Sequence, residues 1–166
     1  MAGRKQDDIE KEKSYEGKVY DKWATVYTDG SFSKGAGGWG ARVRHSRTPY
    51  KKEFLGGGSC RDSMYAEMAA LVAGVALALD TWPDLKGVGI RTDCKALLKI
   101  APFGAKSHRR KDIRYLQGLL KEALAPKCKI RVVWVKGHQG TKTAQGWCND
   151  RVDRLASVGR ARRNHR

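Results

Sequence analysis

No Cys-x-x-Cys pair occurs in this chain, and none of Cys60, Cys94, Cys128 and Cys148 shares zinc-ligand spacing with a histidine. A structural zinc is therefore not expected, and the thiols read as buried groups in a reducing compartment. No apolar run reaches the ~20 residues that span a bilayer. Residues 1–22 lack an apolar stretch of the secretory kind, and Asp7, Asp8, Glu10 and Glu12 argue against a mitochondrial leader. A cytoplasmic protein with no membrane partner is expected. Acid is the other scarcity: 17 Asp+Glu stand against 34 Lys+Arg, for a net charge of +17. That excess favours a polyanion, nucleic acid first, over the plainer role of keeping the chain soluble.

What remains suits one core: 166 residues, 40% of them hydrophobic. Residues 1–22 read as a charged, disordered arm, 23–158 as the folded body, and 159–166 as a loose basic tail. The body starts with short strands over 24–28, 39–44 and 51–55, the first two separated by a glycine-rich turn over 31–38. Met64, Met68, Leu71, Val72, Val75 and Leu79 then recur at helical spacing. Asp62 or Ser63 is suited to cap that helix, and Pro83 follows its end. A strand over 87–92, a short helix over 94–100, a helix over 112–124, a strand over 130–135 and a helix over 147–158 complete the order. Three early strands as a meander, followed by strands joined through helices, predict an α/β fold with a mixed sheet and helices on its faces.

Into this frame the sequence sets four carboxylates: Asp29, Glu67, Asp93 and Asp153. Asp29 and Asp93 follow apolar, β-branched runs, where strands are expected to leave the sheet; Glu67 and Asp153 lie on helical patterns. If the strands carrying Asp29 and Asp93 are neighbours, both acids reach the carboxyl edge where open α/β sheets hold their sites. Glu67 is the hardest to explain without a cation, because its helix is apolar and offers no Lys or Arg at i±3 or i±4. The pattern points to a divalent-metal site acting on a phosphate backbone. Plainer roles exist: Asp29 as an Asp-Gly turn residue, Asp93 as the cap of the next helix, and His45, His108, His138 and His165 as ordinary histidines.

Five segments, in order, carry a family resemblance: Tyr27-Thr28-Asp29-Gly30-Ser31, Ala66-Glu67-Met68-Ala69-Ala70, Thr92-Asp93, Trp134-Val135-Lys136-Gly137-His138-Gln139-Gly140, and Asn149-Asp150-Arg151-Val152-Asp153-Arg154-Leu155-Ala156. The chain resembles ribonuclease H of type 1, including the ribonuclease H domains of reverse transcriptases. The resemblance implies a five-stranded mixed sheet, three strands in an antiparallel meander and two parallel. It also implies a monomeric endonuclease, without an organic cofactor, that cuts the RNA strand of an RNA–DNA hybrid with two Mg²⁺ ions, Mn²⁺ being an alternative. By that resemblance Asp29 bridges the ions, Glu67 and Asp93 complete one site and Asp153 the other, while His138 assists proton movement or product release. Asp150 competes with Asp153, since three residues apart they share a helix face; the family's asparagine four residues before its aspartate, matched by Asn149, favours Asp153.

For substrate, Gly30 and Ser31 are expected beside the RNA strand, with Ser63, Lys95 and Asn149 as further contacts. Ser63 and Lys95 stand where the family often has asparagine and glutamine, so hybrid recognition is expected to be looser. The run Lys106-Ser107-His108-Arg109-Arg110-Lys111 is read either as a grip on the DNA strand, through Lys106, Arg109, Arg110 and Lys111, or as a solvated charge run. Two other functions stay open: a DNA nuclease of the resolvase or transposase kind, and a non-catalytic nucleic-acid-binding module.

Overall fold

Cβ-less residues decide how closely the layers of this fold approach. The computed structural model describes residues 22–46, 50–101, 105–124, 128–137 and 140–164. Its elements are β1 (Trp23–Ser33), β2 (Ala36–His45), β3 (Lys51–Ser59), α1 (Ser63–Thr81), β4 (Gly87–Thr92), α2 (Leu97–Ile100), α3 (Lys111–Leu124), β5 (Lys129–Trp134) and α4 (Ala144–Asn164). The expected amino-terminal arm falls almost wholly outside the described residues.

The sheet order is β3-β2-β1-β4-β5. β1 pairs antiparallel with β2 and β2 with β3, whereas β4 runs parallel to both β1 and β5. The expected five-stranded mixed sheet is thus observed. Side chains alternate across β1. Val26 and Thr28, with Ala41 of β2, face α1 and lie against Gly74. The other face carries α4, whose Leu155 and Ala156 meet Gly40 and Gly38 of β2.

The core lies between sheet and α1, where Met68, Leu71, Val75, Val26, Val88 and Ile90 are fully buried. α3 closes this side by packing on α1 through Ile113, Leu116 and Leu120. Asp62 caps α1, its Oδ1 accepting from the Tyr65 N–H at 3.1 Å. By length and composition α1 is apolar enough to cross a membrane. Its run of alanine, leucine and valine serves instead to fill the core.

Two expectations are corrected. Residues 31–38 are not one long turn: β1 continues to Ser33, a two-residue turn at Lys34 and Gly35 takes positive φ (52° and 76°), and β2 resumes at Ala36. Gly37 and Gly38 are strand residues paired on both sides, with Gly37 against the Cys60 thiol and Gly38 directly under α4. A Cβ on Gly38 would strike the Ala156 carbonyl and the Arg160 nitrogen. The last helix likewise does not stop near Val158 and leave a loose tail. It runs to Asn164, with Gly159 seated on the Gly56 backbone of β3.

A paired substitution tests this close approach. Gly38→Ala is expected to lose ~1–3 kcal/mol, because rigid backbone must move. Gly118→Ala, with nothing within 4 Å of the added carbon, should gain roughly 0.5–1 kcal/mol in its helix. Thermal unfolding of both variants decides; equal effects would contradict the packing.

Candidate active site

β1 leaves its parallel neighbour before it leaves the sheet. The β1–β4 pairing runs to Tyr27↔Arg91, and Asp29 and Asp93 each lie two residues further on. Asp29 is therefore not at a strand end, since it still pairs with Gly40 of β2. It stands where β1 and β4 part, which opens a notch between them. Gly30 lets α1 enter that notch, because a Cβ there would strike the backbone at Ala66 and Glu67. Glu67 thus comes down beside Asp29. Carboxylate oxygens of Asp29, Glu67 and Asp93 all lie within 4.8 Å of one another.

The electrostatics of this cluster are severe. Asp29 is 5% exposed. Burial first, then the charges of Glu67 and Asp93, raise its carboxyl far above the usual range. Burial also raises Glu67, against a hydrogen bond with Asp29 and the Gly30 backbone, which favour its charged form. Without a cation the pair keeps a proton between them. One Glu67 oxygen, Oε2, is enclosed with no hydrogen-bond partner among the described residues. An all-oxygen donor set with an orphaned carboxylate oxygen fits a hard divalent cation such as Mg²⁺. The residues present suit the metal that the sequence implies.

Asp153 is exposed on α4, and its carboxylate is among the groups that push Asp29 and Glu67 upward. Its rival Asp150 pairs with Arg154 at 3.2 Å and does not figure among the groups acting on either buried acid. α4 is held in place by Arg151, which grips Glu53 of β3 through two bonds of 2.8 and 2.9 Å. Arg42 joins Glu53 at 2.8 Å and stacks on Trp147, 4.6 Å from the ring centre. Asp93 does not cap α2, whose N-cap is Ala96 with no side-chain bond. Thr92 Oγ1 instead accepts from Cys94 N–H. His138 lies outside the described residues. Its predecessor Gly137 passes so close to Asp93 that a Cβ there would sit 2.8 Å from Oδ2.

Among the expected substrate contacts, Gly30 and Ser31 flank the acids on β1. Ser63 is exposed one turn before Glu67. Lys95 is exposed but lies over the Trp134 ring, 4.7 Å from its centre. Asn149 is a buried amide, 7% exposed, with Oδ1 unpartnered among the described residues; it is not a surface contact. The run 106–111 is anchored to the fold through part of its length. Buried Gln117 bonds the carbonyls of Ile100 and Lys106 and receives the His108 N–H. Arg110 is withdrawn from any duplex: its guanidinium bridges Asp62 at 2.6 Å and Asp112 at 2.7 Å. Both carboxyls are held below their ordinary range, chiefly by hydrogen bonds from Arg110. Lys106, Arg109 and Lys111 remain exposed around that anchor.

Three residues at the site were not singled out from the sequence. Trp134 donates from Nε1 to the Asp93 carbonyl at 3.1 Å. Gly137 borders the Asp93 carboxylate. Arg160 donates to Ser31 Oγ at 2.7 Å. Trp134 and Gly137 stand in a segment that carries the family resemblance; Arg160 lies seven residues after Asp153 and so on the same helix face, and ending the helix at Val158 hid it.

Comparison with known proteins agrees with this geometry. The RNase H family model matches residues 21–161. A ribonuclease H of Novosphingobium aromaticivorans is 30% identical over 148 residues, covering 82% of this chain and 95% of that one. A ribonuclease H of Methylorubrum extorquens is 28% identical over 145 residues; the match takes in 81% of this chain but spans only 59% of the relative's length. The solved structure of LC11-RNase H1 in complex with an RNA/DNA hybrid superposes with a TM-score of 0.67 at 14% identity, covering 84% of this chain and 97% of that one.

Proposed function

Because this chain belongs to the ribonuclease H family, we propose that it is an endoribonuclease that hydrolyses the RNA strand of RNA–DNA hybrids with two divalent ions. The observation that carries the reading is the cluster of buried Asp29 with half-buried Glu67 and Asp93, one carboxylate oxygen of each lying within 4.8 Å of the others. Mg²⁺ is the ion of choice for that oxygen set, with Mn²⁺ as the alternative. Bound there, such ions supply Lewis acidity to a phosphoryl oxygen and an acidified water.

The remaining work falls to the chain. Asp29, beside Glu67 and Asp93, is the acid best situated to be shared between ions; Glu67 and Asp93 would help hold them, and Asp153 would contribute a further carboxylate from α4. Trp134 steadies Asp93 through its carbonyl. His138, one residue beyond the glycine beside Asp93, is suited to move a proton near neutral pH. Lys106, Arg109 and Lys111 on their anchored loop present positive charge to the second strand, where it adds sequence-independent affinity.

The test compares a uniform RNA–DNA hybrid with duplex RNA, duplex DNA and a four-way DNA junction, with and without chelator. Cleavage of the RNA strand in the hybrid, lost on chelation, is expected. Preferential junction cutting, or salt-dependent binding with no cleavage of any duplex, would overturn the proposal.

A further inference from the structure

Four arginines near this site spend their charge on carboxylates: Arg42 and Arg151 on Glu53, Arg110 on Asp62 and Asp112, and Arg154 on Asp150. Arg160 does not. Among the described residues its bonded partner is a neutral hydroxyl, Ser31 Oγ, which takes one Nη1 hydrogen. Nε, Nη2 and the second Nη1 hydrogen keep their donors in a planar fork that matches phosphate.

Its position is as telling as its charge. Asp29 and Ser31 sit on the same face of β1, two residues and therefore ~7 Å apart. Asp153 and Arg160 sit on the same face of α4, seven residues and therefore ~10 Å apart. Asp153 acts on Asp29 and Arg160 bonds Ser31, so two contacts join strand and helix in register. The first belongs to the acidic cluster; the second lies ~7–10 Å further along, between one and two phosphate spacings of a nucleic-acid strand. Gly38, the β2 partner of Ser31, lets the α4 backbone approach until it touches the Arg160 nitrogen and Cβ. The guanidinium is thus held from both ends before any substrate arrives, which lowers the ordering cost of binding.

We propose that Arg160, positioned by Ser31, is a phosphate contact for the RNA strand one or two nucleotides from the bond that is cut. This rests on the hybrid-cleaving function proposed above, since that reading assigns the strand on the acidic cluster as RNA.

The test uses the full chain with Arg160→Gln, Arg160→Lys and Ser31→Ala. Hybrid affinity is measured in chelator against salt concentration, and KM and kcat are measured separately with Mg²⁺. Arg160→Gln is expected to weaken binding ~5–10-fold and reduce the salt slope by about 1, with kcat within about twofold of the native chain. Arg160→Lys should keep the slope, and so should Ser31→Ala, which keeps the cation. An unchanged slope in Arg160→Gln would overturn the assignment and make the Ser31–Arg160 pair a structural staple. Single uncharged methylphosphonate linkages then locate the contact. One in the RNA strand should weaken the native chain but not Arg160→Gln, whereas such a linkage in the DNA strand would refute the strand assignment. The native chain run alongside separates the two readings. If it cleaves no hybrid, the function falls; if it cleaves while Arg160→Gln keeps the full slope, only Arg160 falls.

Discussion

Asp29→Asn is expected to reduce hybrid cleavage at least ~10³-fold, about 4 kcal/mol of transition-state stabilisation, while leaving hybrid binding nearly intact and making the metal-free protein more stable. The opposed outcomes share one cause. Asp29 is the acid on which the other three converge: burial, Glu67, Asp93 and Asp153 all act against its charge. A neutral amide of the same shape removes that conflict, so folding gains. It also removes the negative charge best situated to hold a cation, so the chemistry is lost. Melting temperature and single-turnover cleavage, measured on one preparation, read both. Undiminished turnover would sink the metal assignment; a lower melting point without metal would contradict the electrostatic account of the cluster.

The second large effect is a pH dependence that reverses the usual acid sensitivity of proteins. Asp29 and Glu67 both titrate above their unfolded values. An acid whose folded pKa is raised binds more protons folded than unfolded once pH exceeds the unfolded pKa near 4. Its folded state is therefore penalised progressively as pH climbs from that value towards the raised one. In chelator, the melting temperature should fall between about pH 5 and about pH 8 by an amount on the order of a few kcal/mol, or ~5–10 °C. Mg²⁺ should restore it, and by more at the higher pH, because the cation binds the deprotonated cluster. Asp29→Asn should flatten the profile. A metal-free melting point that stays level or rises over this range would show that the cluster does not share a proton.

Much of this was readable before folding was considered. Gly87 to Thr92 is a strand with the bounds its apolar run suggests, and Asp62 caps α1 as its position before Ser63 allows. The four acids stood out because two follow β-branched runs and two lie on helical patterns, Glu67 in an apolar helix with no basic neighbour at i±3 or i±4. What escaped reading depends on neighbours distant in the chain. Glycines 37 and 38 look like turn residues by propensity, yet they are strand, and at Gly38 it is helix α4, more than 100 residues later, that needs the missing side chain. Arg110 looks like one more surface cation in a basic run. It is an internal brace because Asp62, 48 residues away, lies within 2.6 Å.

The sequence by itself determined the charge excess, the chemical identity of the acids and the segments that bear them, since these follow from composition and local period. Only the tertiary structure decided that Asp29, Glu67 and Asp93 meet, and that Arg160 bonds Ser31 on the same strand as Asp29. The reason is that proximity here comes from strand order and helix docking. β4 pairs beside β1 across more than 60 residues of chain, and α4 closes on β2 through glycine. No local pattern encodes such contacts.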